Sequence, residues 1–426
     1  MEQFEIAVVG GGAAGLMAAA QAAVQLQKPG AVVVLEGADR VGKKLLATGN
    51  GRCNLTNRYA QAGLYHGGAN AAEELFAALT PAQVLLEFER MGLFCKEEEQ
   101  GRVYPQNGQA SAVLDALRFF LQKYGVTECC GSWVTQIRKE KKGFVLQTST
   151  GSSVFARCVI VAQGGKASPQ ISSDGGFFLP GQLGHTTTRQ LPALVQVTVP
   201  PQLVKALKGV RSPASVTFLA DGKAIKTEQG ELQFTEYGLS GVCMFQLSRL
   251  ASEFSQCNTV QGVPCSKAEI AVDVLPAHTF AQACDLLTEL AVLYPQLPVR
   301  ELLFGVLQKR VGQQLAVAAL GKQAGNPAGS LTQAQKKTLA AVLKRWIFPI
   351  TGVLPWKNAQ VTAGGVPMEE VQVPSMESKR CPGLYLAGEQ LDLDGDCGGF
   401  NLHWAWISGM AAGRSAAQAL KEEQGK

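Results

Sequence analysis

No apolar run in this 426-residue chain is long enough to cross a bilayer, so no membrane span is expected. The N-terminus lacks a basic segment followed by an apolar one and enters a strand at once, so no signal peptide is expected either. The eleven cysteines have no metal-type spacing. Cys129 and Cys130 are adjacent, and neighbours rarely form an unstrained disulfide. Reduced thiols in a cytoplasm fit this usage. Charge is sparse, 17% of residues against 46% apolar, which leaves ample material for a large core. The length suggests about two to four domains. Net charge is +5, but Lys and Arg are scattered, and the densest run, Arg138 to Lys142, reads as a solvated turn. With no basic stripe, a nucleic-acid partner is not expected. Internal repeats are missing too.

What is present is concentrated between Phe4 and Glu36. Phe4 to Val9 reads as a buried strand, and Gly10-Gly11-Gly12-Ala13-Ala14-Gly15 follows directly. Good helix formers run from Ala13 to about Gln27. Ala31 to Leu35 is a second apolar strand, closed by Glu36. Gly10 permits the tight turn, Gly12 keeps a side chain away from a pyrophosphate, and Gly15 lets helix and sheet approach. The helix start offers free N–H groups and a positive dipole end to phosphates. Glu36 can accept hydrogen bonds from adenosine ribose hydroxyls and would repel a 2′-phosphate. Strand, glycine turn, helix, strand and acid together point to FAD or NAD rather than NADP.

A second glycine-dense stretch runs from Gly42 through Lys44 to Gly49, Gly51, Arg52, Cys53 and Asn54. Its composition brings a backbone close to something. Arg52 could neutralise a phosphate or flavin charge, or be a solvated residue of a surface turn. Cys53 reads as a small buried thiol. Ala71 to Met91 is mostly helical with a break at Thr80-Pro81, Leu93 to Tyr104 suggests a hairpin, and Ser111 to Tyr124 an amphipathic helix. Short strands near Val126–Cys130, Trp133–Arg138, Gly143–Thr148 and Ser153–Ala156 read as an antiparallel meander. Cys158 to Ala162 is a buried strand ending in Gln163-Gly164-Gly165, another point of close approach. Ser173 to Gly176 opens a short helical stretch, and His185 near its end is expected to be structural. From Leu191 the pattern changes to alternating strands, with Asp221-Gly222 as a hairpin turn, and then to helices over Phe280–Leu290, Val299–Leu320 and Thr332–Trp346. The expected division is 1–190 and 355–426 for the cofactor domain, with an inserted β subdomain at 191–270 and a helical one at 271–354. Pro382 to Glu389 is a strand delivering a carboxylate at its C-terminal edge, where doubly wound sheets bind ligands. The acidic loop of Asp392, Asp394 and Asp396 lacks an EF-hand ending, so no metal is expected. Gly398-Gly399-Phe400-Asn401 starts an apolar helix running to about Ala417, whose N-terminus could face negative charge on a reduced flavin.

These pieces together resemble the BaiN-like, or aminoacetone-oxidase-like, flavoprotein family. The likeness lies in Gly10–Gly15 with Glu36, Thr48–Asn54, Gly101–Pro105, Val361–Val366, and Gly388-Glu389 through Gly398–Leu402, and it covers nearly the whole chain. It implies an α/β fold, a Rossmann-like two-dinucleotide-type FAD domain interrupted by a β-barrel-like and helical insertion. By position, the backbone of Gly12, Ala13, Ala14 and Gly15 would hold the pyrophosphate, with Gly10 in the turn before it counted in the cofactor set, Glu36 the ribose and Val134 the adenine. Gly388 and Glu389 would lie by the ribityl chain, and Asn401 and Leu402 by the pyrimidine end of the flavin. Lys44, Gly51, Arg52, Asn54, Ala162 and Gly164 complete the expected cofactor set. Gln163, His403 and Asn50 depart from residues frequent in such proteins.

The expected activity is FAD-dependent oxidoreduction of a hydrophobic small molecule such as a steroid- or bile-acid-like enone. NAD(P)H would serve as a transient donor in the same cleft, because no second GxGxxG follows a strand. Oxidation of a small amine such as an aminoketone, and flavin binding without turnover, are the alternatives. No catalytic acid or base is assigned; His403, Tyr237, Asn54 and Arg52 are candidates by type and place. The oligomeric state is not legible.

Overall fold

The computed structural model describes residues 1–170 and 178–424. The chain divides into two units, Met1–Gln190 with Gln360–Lys426, and Leu191–Ala359. Each has its own core of buried apolar side chains.

The first unit is built on β1 (Glu2–Val9), α1 (Ala13–Leu26) and β2 (Val32–Leu35). The last four residues of β1 and all of β2 are buried, as continuous Val, Ile and Leu runs demand when both faces of a parallel sheet are covered. Further along come α2 (Lys43–Ala47), β3 (Tyr65–Gly67), β4 (Thr127–Cys129), β5 (Val134–Glu140), β6 (Gly143–Thr148) and β7 (Ser153–Val161). The chain returns from the second unit with β8 (Leu384–Leu386), β9 (Leu393–Gly395) and α3 (Phe400–Gln424). β8, β7, β1, β2 and β4 lie side by side and parallel. Antiparallel pairs, Val371–Gln372 with Glu377–Ser378 and β5 with β6, extend the sheet to nine strands.

α3 packs along α1, and glycine sets the distance. A Cβ on Gly409 would lie 2.4 Å from the Ala14 carbonyl oxygen, and one on Gly413 2.2 Å from that of Ala18. The first helix and the last therefore meet backbone to backbone, which joins the two halves of this unit around one sheet.

Several elements differ from the sequence reading. The segment near Val126–Cys130 is not part of a meander; it is β4, hydrogen-bonded in parallel to β2. Ser153–Ala156 and Cys158–Ala162 are one strand, β7, which pairs in parallel with β1 along its length, while its other edge pairs antiparallel with β6 in the first half and in parallel with β8 in the second. The change of partner changes the periodicity halfway, and this divides the pattern in the sequence. Thr80 and Gln83 form a capping box, which starts the helix Pro81–Arg90. Ser173–Gly176 lie outside the described residues; a short helix follows at Phe178–Gln182. α3 runs to Gln424, a full turn and more beyond Ala417.

In the second unit the strand order is Trp346–Pro349, Ala268–Asp273, Arg211–Ala220, Lys223–Phe234, Gly238–Ser240, Val197–Thr198, Gly352–Val353. Two of these seven strands come after the helices Phe280–Leu293, Lys309–Leu320 and Gln333–Lys344. Residue 270 is thus no boundary, because the sheet takes its outer strands from beyond the helical stretch. Trp356–Asn358 also belongs to this unit, so the return falls at Gln360 rather than 355. The expected helix from Val299 begins only at Lys309; Val299–Glu301 is a separate 3₁₀ turn after Pro298.

Candidate cofactor cleft

The C-terminal ends of β1, β2, β7 and β8 open onto a cleft of about 370 Å³ in the first unit. Doubly wound sheets bind ligands at this edge. Gly10 leaves β1 with φ +104°, and a Cβ there would lie 2.5 Å from the Ala162 carbonyl oxygen. Gly15 is required by the turn itself, since its Cβ would fall 1.9 Å from the Gly10 carbonyl oxygen. Gly12 is different. It caps α1 with ordinary φ of −83°, and a Cβ there would meet nothing within 4 Å. Neither backbone nor neighbours explain its glycine, so the protein leaves space there at the N–H-presenting end of a helix. A pyrophosphate fits such a cradle.

Glu36 closes β2 and stands over the same turn. One carboxylate oxygen accepts from the Gly11 N–H at 2.7 Å and the other from the Ala38 N–H at 2.7 Å. The strand end and the glycine turn are thereby fixed to each other, and the carboxylate retains further lone pairs on the cleft side. Beyond it the wall is made by Trp133 and Val134, with Trp133 laid flat where a Cβ on Gly37 would come within 2.3 Å of its ring. In the other direction Lys44 and Glu389 form an ion pair at 2.7 Å. Glu389 also accepts from the N–H groups of Thr362 (2.6 Å) and Gly165 (3.2 Å), which ties β7, β8 and the Val361–Ala363 strand at one carboxylate. The Trp404 indole donates to the Gly388 carbonyl at 3.1 Å. Asn401 uses its amide to clamp the loop before α3: Oδ1 accepts from the Gly395 N–H at 2.8 Å, and Nδ2 donates to the Gly395 carbonyl at 2.7 Å.

Of the residues named from the sequence, Gly10, Gly12, Ala13, Ala14, Glu36, Lys44, Val134, Ala162, Gly164, Gly388, Glu389, Asn401 and Leu402 line this one cleft. Gly15 lies beneath it as a packing residue. Gly51, Arg52 and Asn54 do not line it. The Arg52 guanidinium sits 4.1 Å over the Tyr104 ring and pairs with Glu98, so its charge is already engaged. Asn54 is half-buried, and its Oδ1 is buried with no hydrogen-bond partner. The loop carrying these residues is held in left-handed backbone at Gly49, Asn50, Gly51 and Cys53. Cys53 is fully buried, and burial pushes its thiol up to about 12, so it is inert. Thr48, at the start of that loop, does reach the cleft, and so do Trp133 and Trp404. Sequence reasoning passed over these three, because an isolated Thr or Trp carries no spacing signal.

His403 follows the lining residues Asn401 and Leu402 but turns away from the cleft, since neighbours on a helix face different sides. It is fully buried, with Nδ1 2.9 Å from Thr56 Oγ1 and Nε2 without a hydrogen-bond partner. Burial pushes its ring down to about 3, so it is neutral and gives up no proton. His185 is also buried, between Glu370 Oε2 and Ser378 Oγ, each at 2.7 Å. Burial lowers it as well, against the pull of Glu370. Tyr237 belongs to a turn of the second unit, where its N–H meets Thr235 Oγ1.

The HI0933-like protein Rossmann domain family matches residues 4–415. Among characterised proteins, the 3-dehydro-bile acid delta(4,6)-reductase of Clostridium scindens is 37% identical, over 97% of this chain and 99% of its own. The ribosomal RNA dihydrouridine synthase of Escherichia coli is 28% identical, over 98% of this chain and 99% of its own. Among solved structures, the 3-ketosteroid delta1-dehydrogenase of Sterolibacterium denitrificans covers 98% of this chain and 100% of its own with a TM-score of 0.51 at 13% identity, a likeness of fold. The chain belongs to the HI0933-like family and is an FAD-dependent oxidoreductase built on a Rossmann-type domain.

Proposed function

We propose that this protein reduces a carbon–carbon double bond conjugated to a carbonyl in a steroid- or bile-acid-like substrate, with NAD(P)H as electron donor. The observation that carries the reading is the likeness to the bile-acid reductase, 37% identical and collinear over nearly both chains. FAD, when bound, supplies the two-electron chemistry. This chain's residues supply the binding. The α1 start at Gly12–Gly15 would receive the pyrophosphate, and Glu36 the ribose hydroxyls. Lys44 with Glu389 would face the ribityl chain, and Asn401 and Leu402 the pyrimidine end. Of the loop after Thr48, Asn54 would act on the cofactor, its unpartnered oxygen being the supporting feature, while Arg52 stays with Glu98 and Tyr104. All eleven cysteines are free thiols, which suits a cytoplasmic enzyme.

A second substrate class, uridine in RNA, is favoured by one observation besides the dihydrouridine synthases. Between Leu191 and Ala359 there are 16 Lys and Arg against 10 Asp and Glu, so the second unit carries +6 while the first carries −1. The C5–C6 bond of uracil is also conjugated to a carbonyl, so both substrates ask for the same bond reduction.

The test is anaerobic. NADH or NADPH should bleach the flavin of the purified holoprotein, and a 3-oxo-4,6-diene bile acid should restore its colour with reduction of one of its two conjugated double bonds, a second equivalent of NAD(P)H serving the other. Restoration only by a uridine-containing ribosomal RNA fragment selects the second class, and restoration by neither defeats the reductase reading.

A further inference from the structure

Glu36 joins two parts of the cleft wall. Its carboxylate accepts from the Gly11 N–H, beside the open cradle at Gly12, and from the Ala38 N–H on the other side. The wall beyond Ala38 is made by Arg40, Trp133 and Val134. Two backbone bonds lay residues 131–133 alongside the exit of β2. The Ser132 N–H donates to the Glu36 carbonyl at 2.8 Å, and the Gly131 N–H to the Ala38 carbonyl at 2.7 Å. Helix start, carboxylate and indole thus follow one another as diphosphate, ribose and base do in an adenine dinucleotide.

Position 37 is glycine because of the indole. Its φ lies outside the left-handed region, so the backbone does not require glycine there. A Cβ would instead fall 2.3 Å from Trp133 Cε3, 3.1 Å from Cζ3 and 3.3 Å from Cδ2. The chain therefore keeps a gap that only an aromatic ring fills, and the Trp133 carbonyl fixes the ring's backbone by accepting from the Ser149 N–H at 2.7 Å. Yet Trp133 is only half-buried, and the part left open lines the cleft. An indole held this way offers a π surface to a planar ligand. Nothing beside it is suited to read the edge of a base. Ala38 and Val134 have no polar side-chain atom, Arg40 and Trp133 only donate, and Glu36 only accepts and already holds two N–H groups.

We infer that the Trp133 indole is the platform on which the adenine of the cofactor lies, and that this cleft recognises the base by its face rather than by its edge. The inference rests on FAD as cofactor and is independent of the substrate class. Stacking on an aromatic side chain tolerates every base, because every base has a π face. Two purines should therefore bind alike, whereas a pyrimidine, with one ring instead of two, covers less of the indole and binds more weakly. Gly37 is part of the same device, since it sets where the indole can lie.

The experiment strips FAD from the holoprotein, checks that added FAD restores its spectrum, and titrates the apoprotein calorimetrically with ADP, GDP and UDP, which share the ribose and the diphosphate. ADP and GDP should bind wild type about equally, and UDP more weakly. Trp133→Leu should lose about tenfold in affinity for ADP and GDP, within the range found for base–aromatic stacks, and clearly less for UDP. Trp133→Phe should fall between. Gly37→Ala keeps the indole but displaces it, and should show the same selective loss for purines. An equal loss for all three nucleotides would mean that Trp133 only props the Gly37 backbone, and it overturns the assignment, as does Trp133→Leu that binds ADP like wild type. Wild type that binds ADP far more tightly than GDP overturns recognition by the face. Apoprotein that takes up FAD but no ADP overturns the platform, whereas apoprotein that takes up neither overturns the cofactor assignment on which it rests.

Discussion

Gly12 and Gly15 belong to the same fingerprint but should fail in opposite ways. In Gly12→Ala the new methyl enters open space and φ stays in an ordinary region. The residue caps α1, where alanine is poorer than glycine by up to about 1 kcal/mol, and the gain from restricting the unfolded chain is of similar size. Stability of the apoprotein should therefore change by less than about 1 kcal/mol. The same methyl stands where the phosphates would meet the helix N-terminus. Losing one charge-assisted N–H···O bond costs about 1.5–3 kcal/mol, roughly a ten- to hundredfold loss of FAD affinity. Gly15→Ala instead places a Cβ 1.9 Å from the Gly10 carbonyl oxygen, and the backbone of the turn must move. A loss above about 3 kcal/mol is expected, in line with overpacking against backbone. Denaturant unfolding of the apoproteins and fluorescence titration with FAD separate the two effects. Gly12→Ala binding FAD like wild type would show that the cradle is not where the pyrophosphate lies.

Three further outcomes follow from the same unit. His403 is neutral when folded, with a pKa near 3 against about 6.5 unfolded, so the unfolded chain binds the extra proton between those values and stability falls as pH drops below 6.5. From pH 6.5 to 5 this amounts to about 2 kcal/mol at roughly 1.4 kcal/mol per unit, and the difference in unfolding free energy between wild type and His403→Gln should change with pH by that amount; a pH-independent difference refutes the account. Glu389→Gln removes the charge that holds Lys44 and two backbone N–H groups, and because the pair is partly exposed the loss should be about 1–2 kcal/mol, read by unfolding, with weaker FAD binding by titration. Gly413→Leu drives a side chain into the Ala18 backbone and should abolish soluble folded protein, whereas Lys421→Leu at the far end of the same helix should not.

The legible parts of this fold were those in which one residue type has a single physical explanation. The glycine turn, Glu36 and the buried β1 and β2 runs specify a dinucleotide cleft locally, within one strand–turn–helix–strand unit, and contacts of short sequence separation show in sequence. Glu389 was legible as a carboxylate at a strand's C-terminal edge and Asn401 as part of a helix start, but their meeting with Leu402 at the same cleft came through family likeness, since nothing in residues 388–402 alone says that they return to a strand laid down at residue 2. The GxxxG spacing of Gly409 and Gly413 was open to view but ambiguous, because small residues in an Ala-rich helix also satisfy mere propensity; only the 2.2 Å approach to Ala18 makes glycine necessary. β7 misled for a related reason. Its two halves obey different rules, alternation between β1 and β6 and continuous burial between β1 and β8, and a window that assumes one period divides it. Arg52 shows the limit of reading chemistry from residue type. A guanidinium in a glycine-rich loop suggests an anion, yet Glu98 and the Tyr104 face lie 46 and 52 positions away in the chain and already satisfy it. His66 is the converse, a single histidine in a plain Tyr-His-Gly stretch. Its partner Asp396 is 330 residues distant, and only the pairing of β3 with β9 brings the two side chains together.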